Sequence, residues 1–308
     1  MSRILVVSLI LLAAVPVGGT AQNSPGNSQK AILVTGASTG IGRKITERLA
    51  ANGYFVYAGA RKDADLQSLG AIKNVQSVRL DVTKPDDIDA AVVLVTKAGR
   101  GLYGLVNNAG IATIGSLAQM KPEEFALQMA VNLTGPVRVT QAFEPLIIAS
   151  KGRITIIGSI SGVLASPSLP AYAMSKHAME AFADSLAKQL EGEDVQVNIV
   201  EPGNYDSSIE KNFALRTGGD LKDADRSMYK PPDEVAVAVE QALFELKPKR
   251  RYMVVPNQNE AERTIRKQIE QLVQLNEGQP YTYDRAALVK MLDEALAGSR
   301  PQIGRAHV

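Results

Sequence analysis

Short runs of Val, Ile and Leu alternate with stretches whose apolar residues recur at helical spacing, and this alternation constrains the fold more than any other feature of the 308-residue chain. The pattern predicts strands at 31–35, 54–60, 75–80, 102–107, 153–158 and 196–200. Helices are predicted at 41–52, 86–98, 123–148 and 172–190, the third interrupted by Pro136. Near-continuous apolar strands joined by short connections imply a parallel sheet covered by helices on both faces. Right-handed crossovers then make a doubly wound α/β fold, whose ligands bind at the carboxyl ends of the strands. Residues 204–232 are polar and weakly periodic, and read as an excursion over the site. A helix at 233–246 and a last strand at 252–255 follow, then terminal helices at 260–275 and 285–296 and a tail at 298–308. The expected organisation is a leader and linker at 1–29, one α/β domain at 30–256, and a helical extension and tail at 257–308.

Composition narrows the chemistry. A net charge of +2, with no long run of Lys or Arg, argues against nucleic-acid binding. There is no cysteine and only two histidines, His177 and His307, so disulfides, thiol nucleophiles and a His-based metal site are not expected. Any reaction must use hydroxyls, amines, carboxylates or a bound cofactor. At the amino terminus, Arg3 precedes an apolar run at 4–17 and then Gly18, Gly19, Thr20 and Ala21. A basic start, an apolar stretch and small residues make the pattern of a secretory signal peptide. The run is short for a bilayer span, so no integral span is expected in the mature protein. The expected location is exported or periplasmic, with cytoplasmic or membrane-associated as the alternative. There is no twin-arginine pair.

Between the first strand and first helix lie Gly36, Ser38, Thr39, Gly40, Ile41 and Gly42. Glycines in that setting let the backbone turn sharply and approach a pyrophosphate at the helix N-terminus. The second strand ends Gly59-Ala60-Arg61-Lys62, with alanine where a ribose-binding acid selects NAD. A guanidinium at Arg61 suits a 2′-phosphate, so the expected cofactor is NADP(H). Asp63 and Asp65 keep NAD(H) as the alternative.

These residues resemble the short-chain dehydrogenases/reductases in their single-domain, Rossmann-like form, over about 30–255. The resemblance is carried by the glycine turn, Asp81-Val82, Asn107-Asn108-Ala109-Gly110, Asn132, Gly158-Ser159, Tyr172-x-x-x-Lys176 and Pro202-Gly203. It implies that Asp81 and Val82 hold the adenine, and that Asn108, Ala109 and Gly110 line the ribose. Pro202 and Gly203, with Tyr205 and Ser207 beyond them, would sit beside the nicotinamide, Ser207 standing where the family often has threonine. Thr39 departs from the arginine of some NADP-using members, leaving the 2′-phosphate mainly to Arg61, with Ser38 and Lys62. Asn132, Ser159, Tyr172 and Lys176 match the four catalytic positions.

The chemistry follows from those side chains. Hydride transfer to a carbonyl needs a proton donor, and the reverse needs a base. A tyrosine hydroxyl starts near a pKa of about 10, and a neighbouring ammonium favours the phenolate. Tyr172 and Lys176 share one helical face, and Ser159 can hold the substrate oxygen near the Tyr172 hydroxyl. The resemblance implies that Asn132 positions a proton-relaying water. Asn132-Leu133-Thr134 also fits a glycosylation sequon, but within a core helix that reading is poor. His177 is read as a packing or surface residue. Gly158-Ser159-Ile160-Ser161-Gly162 has its glycines misplaced for a hydrolase elbow.

The expected function is alcohol–carbonyl interconversion on a small molecule, with an NADP(H)-binding sensor or scaffold as the alternative. Tyr205, Ile209, Phe213, Leu215, Met228 and Tyr229 offer an apolar lining, and Glu201-Pro202-Gly203-Asn204 resembles steroid- and retinol-dehydrogenase-like members. Both point to a lipophilic substrate. The resemblance further implies a homo-oligomer, dimer or tetramer, paired through the helices at 123–148 and 172–190.

Overall fold

A computed structural model describes residues 29–218 and 229–299. Of the expected leader and linker at 1–29, residues 1–28 lie outside the described residues, as do Met228 and the tail beyond Ser299. In chain order the elements are β1 (Ala31–Val34), α1 (Gly40–Ala51), β2 (Phe55–Ala60), α2 (Asp63–Gly70), β3 (Val75–Arg79), α3 (Pro85–Lys97) and β4 (Gly104–Asn107). Then come α4 (Pro122–Met129), α5 (Gly135–Ala149), β5 (Arg153–Ile157), α6 (Pro170–Gln189) and β6 (Gln196–Pro202). The chain closes with α7 (Ile209–Thr217), α8 (Asp233–Phe244), β7 (Arg251–Val254), α9 (Gln258–Asn276) and α10 (Arg285–Ser299).

The seven strands form one sheet in the order β3-β2-β1-β4-β5-β6-β7, every pair parallel. The chain moves outward from β1 to β3 and then returns to the other side of β1. That reversal, between β1 and β4, is the switch point beside which a doubly wound sheet opens its ligand crevice. Strand residues alternate between two cores. Ala31 and Leu33 face α3, α5 and α6, through Val95, Phe143 and Met179 among others. Ile32 and Val34 face α1 and α8, through Ile45, Leu49, Val239 and Leu243. Fully burying one such side chain is worth about 1.5–3 kcal/mol, and a one-residue register slip in β1 would move each into the core shaped for its neighbour.

Three elements differ from the expectations, the first being α2 at Asp63–Gly70, where no helix was expected. The interruption expected at Pro136 lies just upstream, where Ala130–Thr134 forms one π-helical turn between α4 and α5. Pro136 instead stands in the first turn of α5, where a missing N–H costs no hydrogen bond. The excursion at 204–232 contains α7, whose low amphipathicity left no periodic signal. No helix among the described residues is long and apolar enough to cross a membrane.

Candidate active site

The carboxyl ends of β1, β2, β4, β5 and β6 open into a cleft of about 1060 Å³. Every expected cofactor residue lines it: Gly36, Ser38, Thr39, Gly40, Ile41, Gly42, Arg61, Asp81, Val82, Asn108, Ala109, Gly110, Tyr172, Lys176, Pro202, Gly203, Tyr205 and Ser207. Of the four expected catalytic residues, Ser159, Tyr172 and Lys176 line it and Asn132 lies behind the wall.

The glycine turn is bare for a reason of space. Gly36 has φ +64, and a Cβ there would come within 2.8 Å of the Ala109 backbone. A Cβ at Gly42 would overlap the Gly36 carbonyl and the Asn108 amide. Asn108 Nδ2 donates to the carbonyls of Thr35 and Gly36 at 2.9 and 3.0 Å. The amides of Asn108 and Ala109 both donate to Thr35 Oγ1. Asn108 therefore braces the turn with both its side chain and its amide. What remains is a turn whose three glycines leave its backbone open at a helix N-terminus, which fits a dinucleotide pyrophosphate.

At the end of the cleft beside β3, burial opposes a charge on Asp81. Hydrogen bonds from the Thr83 hydroxyl and amide, with Arg61 and Lys84 nearby, outweigh it and hold the carboxyl below its ordinary range. Asp81 stays an acceptor. Arg61 lies 3.9 Å from it and is 61% exposed, so most of its guanidinium is open to the cleft. Asp63 is committed to Arg79, while Asp65 lines the cleft.

The end beside β5 and β6 is built by three elements. Lys176, buried on α6, donates to the Ile157 carbonyl at the end of β5, 2.7 Å away. Its Nζ lies 5.6 Å from the centre of the Tyr172 ring, one turn earlier on the same face. Burial pushes the Lys176 ammonium down to about 8, partly opposed by Glu180. Ser159 follows β5 in extended backbone; its Oγ accepts from the Ser161 amide at 3.0 Å and lies 3.4 Å from the Pro202 carbonyl. A hydroxyl, a phenol and an ammonium thus share one wall.

Asn132 sits in the π turn, 1% exposed. Its Oδ1 accepts from the Ile111 amide at 2.8 Å, and its Nδ2 donates to the Ile111 carbonyl and to Ser175 Oγ. These bonds tie the floor after β4 to α6; π turns recur at such functional places. Tyr205 lines the cleft with its hydroxyl held by Glu234 at 2.5 Å; burial and that carboxylate raise its pKa. His177 Nδ1 contacts the Ala173 carbonyl at 2.9 Å on the exposed side of α6, away from the chemistry.

Of the apolar excursion residues, Tyr205, Ile209 and Leu215 line the cleft, and Phe213 and Tyr229 do not. Three cations were missed: Arg216 on α7, and Arg263 and Lys267 on α9. Arg216 bonds Glu124 at 2.9 Å and lies 3.3 Å from the Ala112 carbonyl, latching α7 to the opposite wall. No short-range pattern marks it, since its partner is far off in sequence.

Fold and cleft together define a doubly wound α/β protein with a glycine-lined cleft at the carboxyl ends of its strands. Residues 30–217 match the family model described as short chain dehydrogenase, and the chain belongs to that family. It is 36% identical over 188 residues to a mitochondrial D-beta-hydroxybutyrate dehydrogenase of Rattus norvegicus, covering 58% of this chain and 55% of the relative. The match thus spans about half of that relative's length. An NADPH-dependent 3-dehydrocapnine reductase of Ornithobacterium rhinotracheale is 33% identical over 248 residues, covering 73% of this chain and 87% of the relative. A short-chain dehydrogenase structure from Streptomyces avermitilis superposes with TM-score 0.68 at 25% identity, covering 89% of this chain and 99% of that one.

Proposed function

We propose that the chain is an NADP(H)-dependent oxidoreductase interconverting an alcohol and a ketone or aldehyde. The observation that carries this reading is the convergence of Ser159, Tyr172 and Lys176 on one wall of a cleft that the glycine turn also lines. The bound nicotinamide would supply or accept the hydride. Ser159 would hold the substrate oxygen, and Tyr172 would give or take the proton at that oxygen. The Lys176 ammonium, pinned by Ile157, would stabilise the phenolate form. Asn132 is a positioning residue in this scheme, holding the loop after β4 against α6.

NADP(H) is favoured over NAD(H) by Arg61, an exposed guanidinium that follows Ala60, the residue standing where a ribose-binding acid would close β2. The NADPH-dependent relative agrees with this choice. A lipophilic substrate is supported by Ile114, Leu127, Leu164, Leu169, Ile209 and Leu215 along the cleft. We also propose that residues 30–256 act as the catalytic domain of a homo-oligomer, with α9 and α10 as an extension. An exported or periplasmic location rests on the leader pattern alone. The test is turnover of NADPH and NADH in parallel across aldehydes, ketones and lipophilic alcohols. Faster NADPH turnover on an apolar carbonyl supports the reading. Tight NADPH binding with no turnover across the panel would favour a sensor.

A further inference from the structure

One turn beyond Lys176, Glu180 lies directly beneath the loop that carries Ser159. A Cβ added at Gly162 would come within 2.7 Å of Glu180 Oε1, and one at Gly158 within 3.2 Å. Glu201 lies at the end of β6, immediately before Pro202 and Gly203 of the cleft wall. The two side chains are only 15% and 7% exposed. Arg251 reaches both, at 3.2 Å from Glu180 and 3.6 Å from Glu201, and is shared with the more exposed Asp184 at 2.9 Å. One guanidinium divided in this way leaves two buried carboxylates short of charge compensation. They are also short of donors: Oε1 of each is buried and has no hydrogen-bond partner. A proton held between them would remove one charge and supply one missing donor.

We infer that Glu180 and Glu201 share a single proton, and that this protonated pair fixes the Ser159 loop against the Pro202–Gly203 turn. Burial first, then the neighbouring Glu201, pushes Glu180 up to about 8. Burial also raises Glu201, with Arg251 opposing. The charged groups around the pair are Lys176 and Asp184 from α6, and Arg250 and Arg251 from the β7 edge. Once the proton leaves on the alkaline side, two carboxylates repel each other across α6 and β6 and the seat of Ser159 loosens. Glu180 and Glu201 are thus positioning residues. Their kinetic role rests on the function proposed above; their shared proton does not.

Infrared difference spectra of the full chain test the proton directly. The wild type is expected to show a protonated-carboxyl stretch at pH 7 that titrates away toward pH 10. Glu180→Gln and Glu201→Gln should each lose it, because the remaining carboxyl ionises beside Arg251. No such band in the wild type, or the same band in both variants, overturns the inference; the wild-type titration decides even if a variant does not fold. Kinetically, an amide donates at any pH. The alkaline arm of kcat in Glu201→Gln, scaled to its own maximum, should therefore move up by about one pH unit. The KM for NADPH should not follow. An unmoved arm with a uniform loss would mean packing alone and would overturn the positioning role. Should the band behave as expected while no carbonyl is turned over, the pair stands and the proposed function falls.

Discussion

Lys176 donates to the Ile157 carbonyl at 2.7 Å, a bond that joins α6 to the end of β5, two residues before Ser159. The same burial that fixes this geometry makes the ammonium unfavourable, so position and charge oppose each other at one residue.

The first prediction follows from that opposition. In the unfolded chain the lysine pKa is about 10.4, whereas burial lowers it to about 8 in the fold. Below pH 8 both states are protonated, and the buried charge costs the fold about 3 kcal/mol. Between pH 8 and about 10.4 the unfolded state binds more protons, so the penalty is relieved as pH rises. Replacing Lys176 by Met removes the penalty and a hydrogen bond worth about 1 kcal/mol. Thermal unfolding at pH 7 should give a Tm at or above wild type, with turnover lowered by about 100-fold or more. A much lower Tm would contradict this.

Arg61 should discriminate between cofactors. A charge-assisted hydrogen bond to a phosphate contributes roughly 1.5–3 kcal/mol. Arg61→Ala should therefore lower kcat/KM for NADPH by about ten-fold or more and leave that for NADH within a few-fold. Equal losses with both would remove Arg61 from the 2′-phosphate.

The Arg216–Glu124 latch should act on substrate affinity. The hydrogen bond from Arg216 comes first in holding the Glu124 carboxyl below its usual range, against partial burial. Its stabilisation is present above the unfolded pKa of about 4.3 and lost as pH falls through the lower folded value. Near neutrality the latch is therefore intact. Arg216→Ala should raise substrate KM several-fold with a smaller effect on kcat. Combined with Glu124→Gln in a double-mutant cycle, the losses should not add. Full additivity would mean that the pair does not latch.

The parts of the site readable from sequence are those whose chemistry is local. The glycine turn announces itself because Gly36 and Gly42 must lie against backbone, and Tyr172 and Lys176 because four residues make one helical turn. The strands were legible from apolar runs, with ends shifted by a residue or two. Helix α7 was not, since its buried contribution is Ala214 alone and its docking depends on Arg216 meeting Glu124. Glu180 carries no signal in the sequence, and Glu201 enters it only as the first residue of Glu201-Pro202-Gly203-Asn204. Only the sheet order, which sets β6 between β5 and β7, brings them to Arg251 and to the Ser159 loop.

The most direct measurement of the central claim is hydride transfer in Tyr172→Phe, followed by NADPH absorbance under single-turnover conditions, with NADPH affinity measured separately. The account predicts a rate lowered by about 100- to 10,000-fold at unchanged affinity, since only the proton at the substrate oxygen has been removed. Turnover at the wild-type rate would contradict it.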